Sequence, residues 1–433
     1  MKFLDNIFGL SHSGSTPRRE VVAGLTTFMT MAYILVVNPS MLASTGMDQG
    51  AVFTATALSS AVACVLMGLV ANLPIALAPG LGINAFFAYT IVLQMGYSWQ
   101  MALAAVFVEG LVFILLSVFN IRNLIIGSIP LVLKRAIGVG IGLFVTTIGL
   151  VNSGIIVRGE VFSQLGDVCS APVMLTLVAI IIIGVLMVHE VQGALMIGML
   201  ITTIVAVFMG VVTIPEGFSP VAMPSSIEPI LFKMDFSQLL SVDMFVIIFI
   251  LIFADLFDTA GTLFAVCSRS GLVDEQGNIK GAKRAFLSDA MATTFGAMLG
   301  TSSVTSYVES TSGVAAGGRT GMTAVVTGVL FLCALIFTPI FALIPVAATS
   351  AVLVVVGLFM VSSIGEIDFS DYKDSLPAFI TIVFIPFSYS ISEGIVFGFL
   401  SYVAIRIFTG QFRDLTPVMY LLATLFLLKV ILV

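Results

Sequence analysis

GTSSVTSYVESTSGVAAGG, residues 300–318, lies between apolar stretches yet consists of small and polar residues around one carboxylate, Glu309. A lipid-facing helix would be apolar here, and non-helical backbone is tolerated at membrane depth only where protein or a cavity covers it. LAPGLGINAFFAYTI, residues 77–91, has the same character in the first half of the chain. Paired interrupted segments at matching places of two halves point to a carrier with its site near the bilayer midplane. Val304, Ser306 and Val308 alternate with Thr305, Tyr307 and Glu309, which predicts a short extended piece leading into a half-helix.

Composition sets the surroundings of these segments. Of 433 residues, 59% are hydrophobic and 9% charged, against about 25% charged in soluble domains, which excludes a soluble protein. Apolar runs such as VMLTLVAIIIIGVLMV (173–188) and AVVTGVLFLCALIFTPIFAL (324–343) suit helices that cross hydrocarbon. The pattern predicts an all-α polytopic membrane protein with spans at 20–44, 50–71, 75–93, 99–119, 129–152, 172–188, 193–213, 241–268, 285–300, 302–316, 321–344, 348–364, 376–391 and 393–409. An odd number of spans per half makes the two copies inverted repeats. The Pro-rich stretch 214–240 reads as the linker between halves, and 415–433 as a C-terminal apolar segment of undecided topology. Most Lys and Arg, including Arg18, Arg19, Lys134, Arg135, Arg284, Arg319 and Arg406, then fall on the side of the N-terminus, which makes that side cytoplasmic. The basic residues are topology signals, and a nucleic-acid partner is not expected. Cys64, Cys169, Cys267 and Cys333 lack CxxC spacing, and the only histidines are His12 and His189, so neither a metal nor a His-based acid–base site is expected.

Three carboxylates carry the functional signal. Asp255 and Asp258 sit in LIFADLFDTAGTLFAV (251–266), and Glu309 sits in the tenth span. A charge at the bilayer centre costs roughly 2.5–3.5 kcal/mol on insertion scales, so such residues mark cavities or substrate paths. Three residues apart, Asp255 and Asp258 share roughly one helical face, with Thr259 and Thr262 extending a polar stripe. Neighbouring carboxylates in low dielectric favour protonation of one of them, so at least one is expected to take up a proton during a transport cycle. Paired acceptors suit the ring N–H and amine groups of a planar nitrogen heterocycle. Asn84 could approach from the third span, and Phe86, Phe87 and Tyr307 offer ring faces for stacking, although plain packing fits those three rings equally well. Glu109, in AAVFVEGLVFILL, is a further intramembrane acid for which a structural bond is the expected role.

Several stretches together resemble the nucleobase–cation symporters of the azaguanine-like purine permease group. They are TTFMTMAYILVVNPSML (26–42), ANLPIALAPGLGINAFFAY (71–89), FADLFDTAGTL (253–263), TSSVTSYVESTSGVAAGGRTGMTAVVTG (301–328) and Arg413-Asp414-Leu415. The resemblance implies two inverted seven-span repeats and proton-coupled, elevator-like transport against a dimeric gate. By this resemblance 1–19 is a cytoplasmic segment, 20–119 and 241–344 supply the core spans, and 129–213 and 348–409 supply the gate spans. It makes Asp255 and Glu309 the principal base-binding acids, Asn84 and Gly82 third-span contributors, and Asp258 a transport-cycle acid. Ser310-Thr311-Ser312-Gly313 after Glu309 departs from the Asn–x–Gly signature of the uracil and xanthine branch. GLGINAFFA and GTSSVTSYVEST resemble the guanine/hypoxanthine members instead. The implied protein is therefore no enzyme. It is a multi-pass importer of the bacterial inner membrane, embedded in lipid as a homodimer, with a purine base and protons as its cargo. An adenine-preferring carrier and, more remotely, a related anion carrier are the alternatives.

Overall fold

The computed structural model describes residues 2–119, 130–159, 163–273, 279 and 281–432. Span 1 is two helices, Pro17–Met31 and Ile34–Ala43, and span 2 runs over Gln49–Ala71. Spans 4 to 7 are Trp99–Val118, Leu131–Asn152, Ala171–Val188 and Ala194–Phe208. Spans 8 and 9 are Val242–Ser270 and Ala282–Leu299, and span 11 runs over Gly321–Ala342. Spans 12 to 14 are Val346–Val361, Tyr372–Phe387 and Ile391–Phe408. Among the described residues, nine of these helices are long and apolar enough to cross a membrane. The others are shorter, broken or, in span 9, studded with Ser, Thr and Asp. The chain is a polytopic membrane protein with the fourteen-span plan its sequence predicts.

Spans 3 and 10 break as expected. Span 3 opens with an extended piece, Leu77–Pro79, before helix Leu81–Ala85 and its continuation Phe86–Gln94. Span 10 opens with Val304–Ser306 before the half-helix Ser310–Ala315. The two extended pieces pair antiparallel, Leu77 with Ser306, Ala78 with Thr305 and Pro79 with Val304. Gly80 N–H donates to Ser303 O and Tyr307 N–H to Ala76 O, both at 3.0 Å, which extends the ladder at each end. A side chain satisfies the outer edge of each strand. Cys64 of span 2 takes the Leu77 N–H at 3.2 Å and returns its thiol to Leu77 O at 3.3 Å. Thr293 of span 9 does the same for Val304, at 3.2 and 3.0 Å.

This exchange exposes the inverted repeat, since span 2 and span 9 occupy equivalent places. The helix packing follows the same rule. Span 2 packs on span 11 as span 9 packs on span 4, and span 6 packs on span 12 as span 13 packs on span 5. Spans 2, 4, 9 and 11 thus pack on one another, as do spans 5, 6, 12 and 13, each group drawn from both halves of the chain. The C-terminal segment is a helix, Pro417–Leu432, lying along span 14, with the Phe426 ring against Phe249 and Phe399.

Close backbone approach fixes this packing. Gly68 of span 2 and Gly321 of span 11 meet so tightly that a Cβ on either would overlap the other's backbone. Overpacking of this kind costs about 1–3 kcal/mol. Gly321→Val is therefore expected to lower the melting temperature of the detergent-solubilised protein by several degrees. Gly184→Ala, on span 6 with open space around it, is expected to leave it unchanged or slightly raised. Equal melting of both variants with wild type would refute the close-contact assignment.

Candidate functional site

A cavity of about 840 Å³ lies between the strand pair and spans 5 and 12. That volume falls within the range of small-molecule sites. Its mouth is on the side of the N-terminus, where span 5 begins and span 12 ends, beside an Arg135–Glu366 ion pair of 2.9 Å. Ile141, Val356, Phe359 and Met360 give the wall formed by spans 5 and 12 an apolar surface.

The opposite wall is polar. Asp258 of span 8 presents an exposed side chain to the cavity. Glu309 lies at the wall where strand Val304–Ser306 gives way to the half-helix, and the Tyr33 hydroxyl donates to its Oε1 at 2.5 Å. Tyr33 reaches that place because span 1 breaks at residues 32–33 between its two helices. The Tyr307 ring lines the wall, held by its hydroxyl donating to Pro79 O at 2.5 Å. Thr305 adds a hydroxyl beside them. Gly82 lines the wall as well, and a Cβ there would come within 2.7 Å of Ile141 Cγ2, so its bareness lets the span 3 half-helix approach span 5.

The other expected residues lie behind the wall. Asp255 is 0% exposed and off the cavity, though it is only one turn from Asp258. Asn84 is equally buried and accepts a hydrogen bond from the Ser302 hydroxyl. Phe86 and Phe87 pack into the main apolar core. Tyr33 and Asp289 were not among the expected residues. Asp289, on span 9, is buried and accepts hydrogen bonds from Thr259 at 3.0 Å and Ser306 at 3.4 Å. Its signal was present in AFLSDAMATTF (285–295), an acid within a predicted span. Tyr33 had a weaker one, a hydroxyl within the apolar run AYILVV (32–37). Among the described residues no cluster of His, Cys, Asp and Glu has metal-binding geometry.

Such a wall offers hydrogen-bond acceptors facing apolar and aromatic surface, suited to a flat ligand rich in N–H groups. The profile of a family described as "Permease family" matches residues 18–397. A guanine/hypoxanthine permease of Bacillus subtilis is 43% identical, covering 98% of this chain and 99% of the relative. An adenine permease of Escherichia coli is 42% identical, covering 99% of this chain and 96% of the relative. The chain belongs to the nucleobase–cation symporter family of permeases. In fold, the permease is similar to the transmembrane domain of a cyanobacterium bicarbonate transporter, with a TM-score of 0.64. That alignment covers 87% of this chain and 97% of the other at 14% identity, so the likeness concerns the fold alone.

Accessibility tests the division between wall and interior. Consider the permease with Cys169 and Cys333 replaced by Ser, since its other cysteines, Cys64 and Cys267, are buried. In it, Asp258→Cys is expected to react with a water-soluble maleimide at least about tenfold faster than Asp255→Cys, following exposure of the thiolate. Equal labelling of the two would contradict this cavity wall.

Proposed function

We propose that this permease is a secondary active importer of purine nucleobases, hypoxanthine and guanine favoured, driven by proton symport across the bacterial inner membrane. The N-terminus is cytoplasmic, so the cavity described above is open to the cell interior. Alternating access comes from elevator-like movement of the body carrying spans 3, 8 and 10 against the body carrying spans 5 and 12, which forms the homodimer's gate. The observation that carries this reading is the pair of carboxylates, Asp258 and Glu309, facing one cavity from spans 8 and 10.

Each cavity acid has a separate task in this scheme. Glu309, fixed by Tyr33, accepts a hydrogen bond from a ring N–H of the base, and Asp258 accepts a second, so two acceptors set the orientation of the ring. Tyr307 and the apolar gate wall cover the ring faces, with Gly82 leaving room for its edge. Asp255, Asn84, Phe86 and Phe87 support that wall from behind, and no resident cofactor is part of the scheme.

Two other readings compete. The relatives named for adenine are as similar as those named for guanine and hypoxanthine, at 42% and 43% identity, which favours a broader or adenine-preferring carrier as the second reading. The fold shared with a bicarbonate transporter raises an anion carrier, but two cavity-facing carboxylates repel an anion.

Radiolabelled hypoxanthine uptake in cells without purine permeases of their own separates these readings. The expected outcome is uptake blocked by excess guanine, untouched by uracil and abolished by a protonophore. Dominant competition by adenine would move the assignment to an adenine carrier, and no uptake or binding of any base by well-expressed protein would remove the purine reading. Glu309→Gln is expected to weaken hypoxanthine binding by about tenfold or more, since a charge-assisted hydrogen bond contributes about 1.5–3 kcal/mol. Its binding is read by isothermal titration of the purified protein.

A further inference from the structure

After span 14 the chain folds back as a helical hairpin that the transport scheme leaves without a task. Gly410, at φ +74°, ends span 14 in the left-handed region, its N–H donating to Ile407 O at 3.1 Å and that of Gln411 to Arg406 O at 2.8 Å. Pro417 opens the next helix, Pro417–Leu432, where a missing N–H costs nothing. Arg406 fastens the turn between the two helices. Its Nη2 lies 2.6 Å from Asp374 Oδ1 of span 13, and its Nε lies 3.6 Å from Asp414 Oδ2. Its guanidinium carbon sits 4.3 Å from the centre of the Tyr402 ring. Arg413-Asp414-Leu415 thereby acquires a structural place: Asp414 holds the turn, and Leu415 is buried in the apolar cluster beside span 14.

The helix that follows has two distinct faces. Met419, Leu422 and Phe426 are buried with Val396, Phe399 and Val403 of span 14 and Phe253 of span 8. Leu422 and Phe426 also line the cavity, together with Phe249 and Phe253. On the other face Leu421, Leu428 and Ile431 are 62%, 45% and 69% exposed. Phe399 lies midway along span 14, so the helix reaches membrane depth and its outer face meets hydrocarbon. Close backbone packing of the helix is with span 14, while span 8 is met through side chains. The Phe426 ring stands edge-on to both, 5.5 Å from Phe399 and 5.8 Å from Phe249 between centroids.

We propose that the C-terminal helix is the lipid-side wall of the cavity, clamped to span 14 through Arg406 and sealing the gap to span 8 with Leu422 and Phe426. Acyl chains are as apolar as these side chains, so only filled space keeps them out. An open flank would admit hydrocarbon beside the carboxylates of Asp258 and Glu309, where a charge is costly. In the elevator movement proposed above, span 8 slides past this seal, and the Phe249–Phe426 contact breaks and re-forms in each cycle. That sliding step rests on the elevator reading, whereas the seal does not.

Lipid access to the cavity tests the seal without any substrate. In the permease with Cys169 and Cys333 replaced by Ser, Gly138→Cys puts a thiol on the cavity wall where open space surrounds it. That thiol takes a bimane maleimide, and the protein is reconstituted in phosphatidylcholine vesicles with or without doxyl-labelled acyl chains. In the full chain the dye is expected to be quenched by aqueous iodide and spared by the doxyl chains. Deleting residues 412–433 is expected to bring strong doxyl quenching. Leu422→Ala with Phe426→Ala, which keeps the helix and its clamp, is expected to bring a smaller rise, and it decides the matter if the truncated chain does not fold. Doxyl quenching already present in the full chain, or unchanged in the folded variants, overturns the seal. Phe249→Cys with Phe426→Cys tests the sliding step: the oxidised pair is expected to lose hypoxanthine accumulation and to regain it on reduction. Undiminished accumulation by the cross-linked protein overturns that step. A parent protein that accumulates no base sinks the purine reading alone, and the quenching comparison still decides the seal.

Discussion

The antiparallel pairing of Leu77–Pro79 with Val304–Ser306 at membrane depth is the contact on which the site depends. Hydrocarbon supplies no partner for backbone N–H and C=O groups, so a chain that leaves the helical path there must satisfy them internally. The two repeats do this for each other along the inner edges of their strands. Cys64 and Thr293 do it along the outer edges, each serving as both donor and acceptor to one strand residue. Thr305 and Tyr307 are thereby presented to the cavity, with Glu309 at the foot of the half-helix that follows. Gly80 allows the pairing to close, because a Cβ there would lie 2.7 Å from the Thr305 hydroxyl oxygen.

The same pairing sorts the intramembrane acids into two populations. Asp258 and Glu309 keep access to the water of the cavity, so their charges retain solvation that a ligand's N–H groups can replace. Glu109, Asp255 and Asp289 lie on the dry side and must rely on neighbouring hydroxyls. Asp289 achieves this through Thr259 and Ser306, whereas three of the four oxygens of Glu109 and Asp255 lack a donor. The strand pair and half-helix separate the acids of the cavity wall from those of the buried interior.

The fold carries no information about the cargo. A bicarbonate transporter shares it at a TM-score of 0.64 with 14% identity, yet carboxylates at the cavity wall suit a ligand with N–H donors and repel an anion. Function in this architecture is set by the few side chains that the broken spans aim into the cavity.

Fourteen spans, two breaks at equivalent positions and acids within spans 8 and 10 were all legible in the sequence. They follow from local chemistry: the length of apolar runs, the intolerance of lipid for exposed backbone, and the cost of a buried charge. Which acid faces the cavity was not legible. Asp255 and Asp258 are about 60° apart around the helix axis, so a modest rotation of span 8 decides which one meets the cavity. That rotation is set by packing against span 4 and the half-helix of span 10. Stacking and packing suit Phe86 and Phe87 equally well in the sequence, and the structure places both rings in the main apolar core. Tyr33 became a cavity residue only through the break in span 1 and a contact with Glu309 across 276 positions of sequence. Sequence alone therefore determined where the backbone must break and which charges the bilayer must accommodate, because those are properties of a segment in its solvent. The tertiary structure decided which of those charges meet water and which are enclosed, because the facing of a side chain is fixed by the neighbours of its helix.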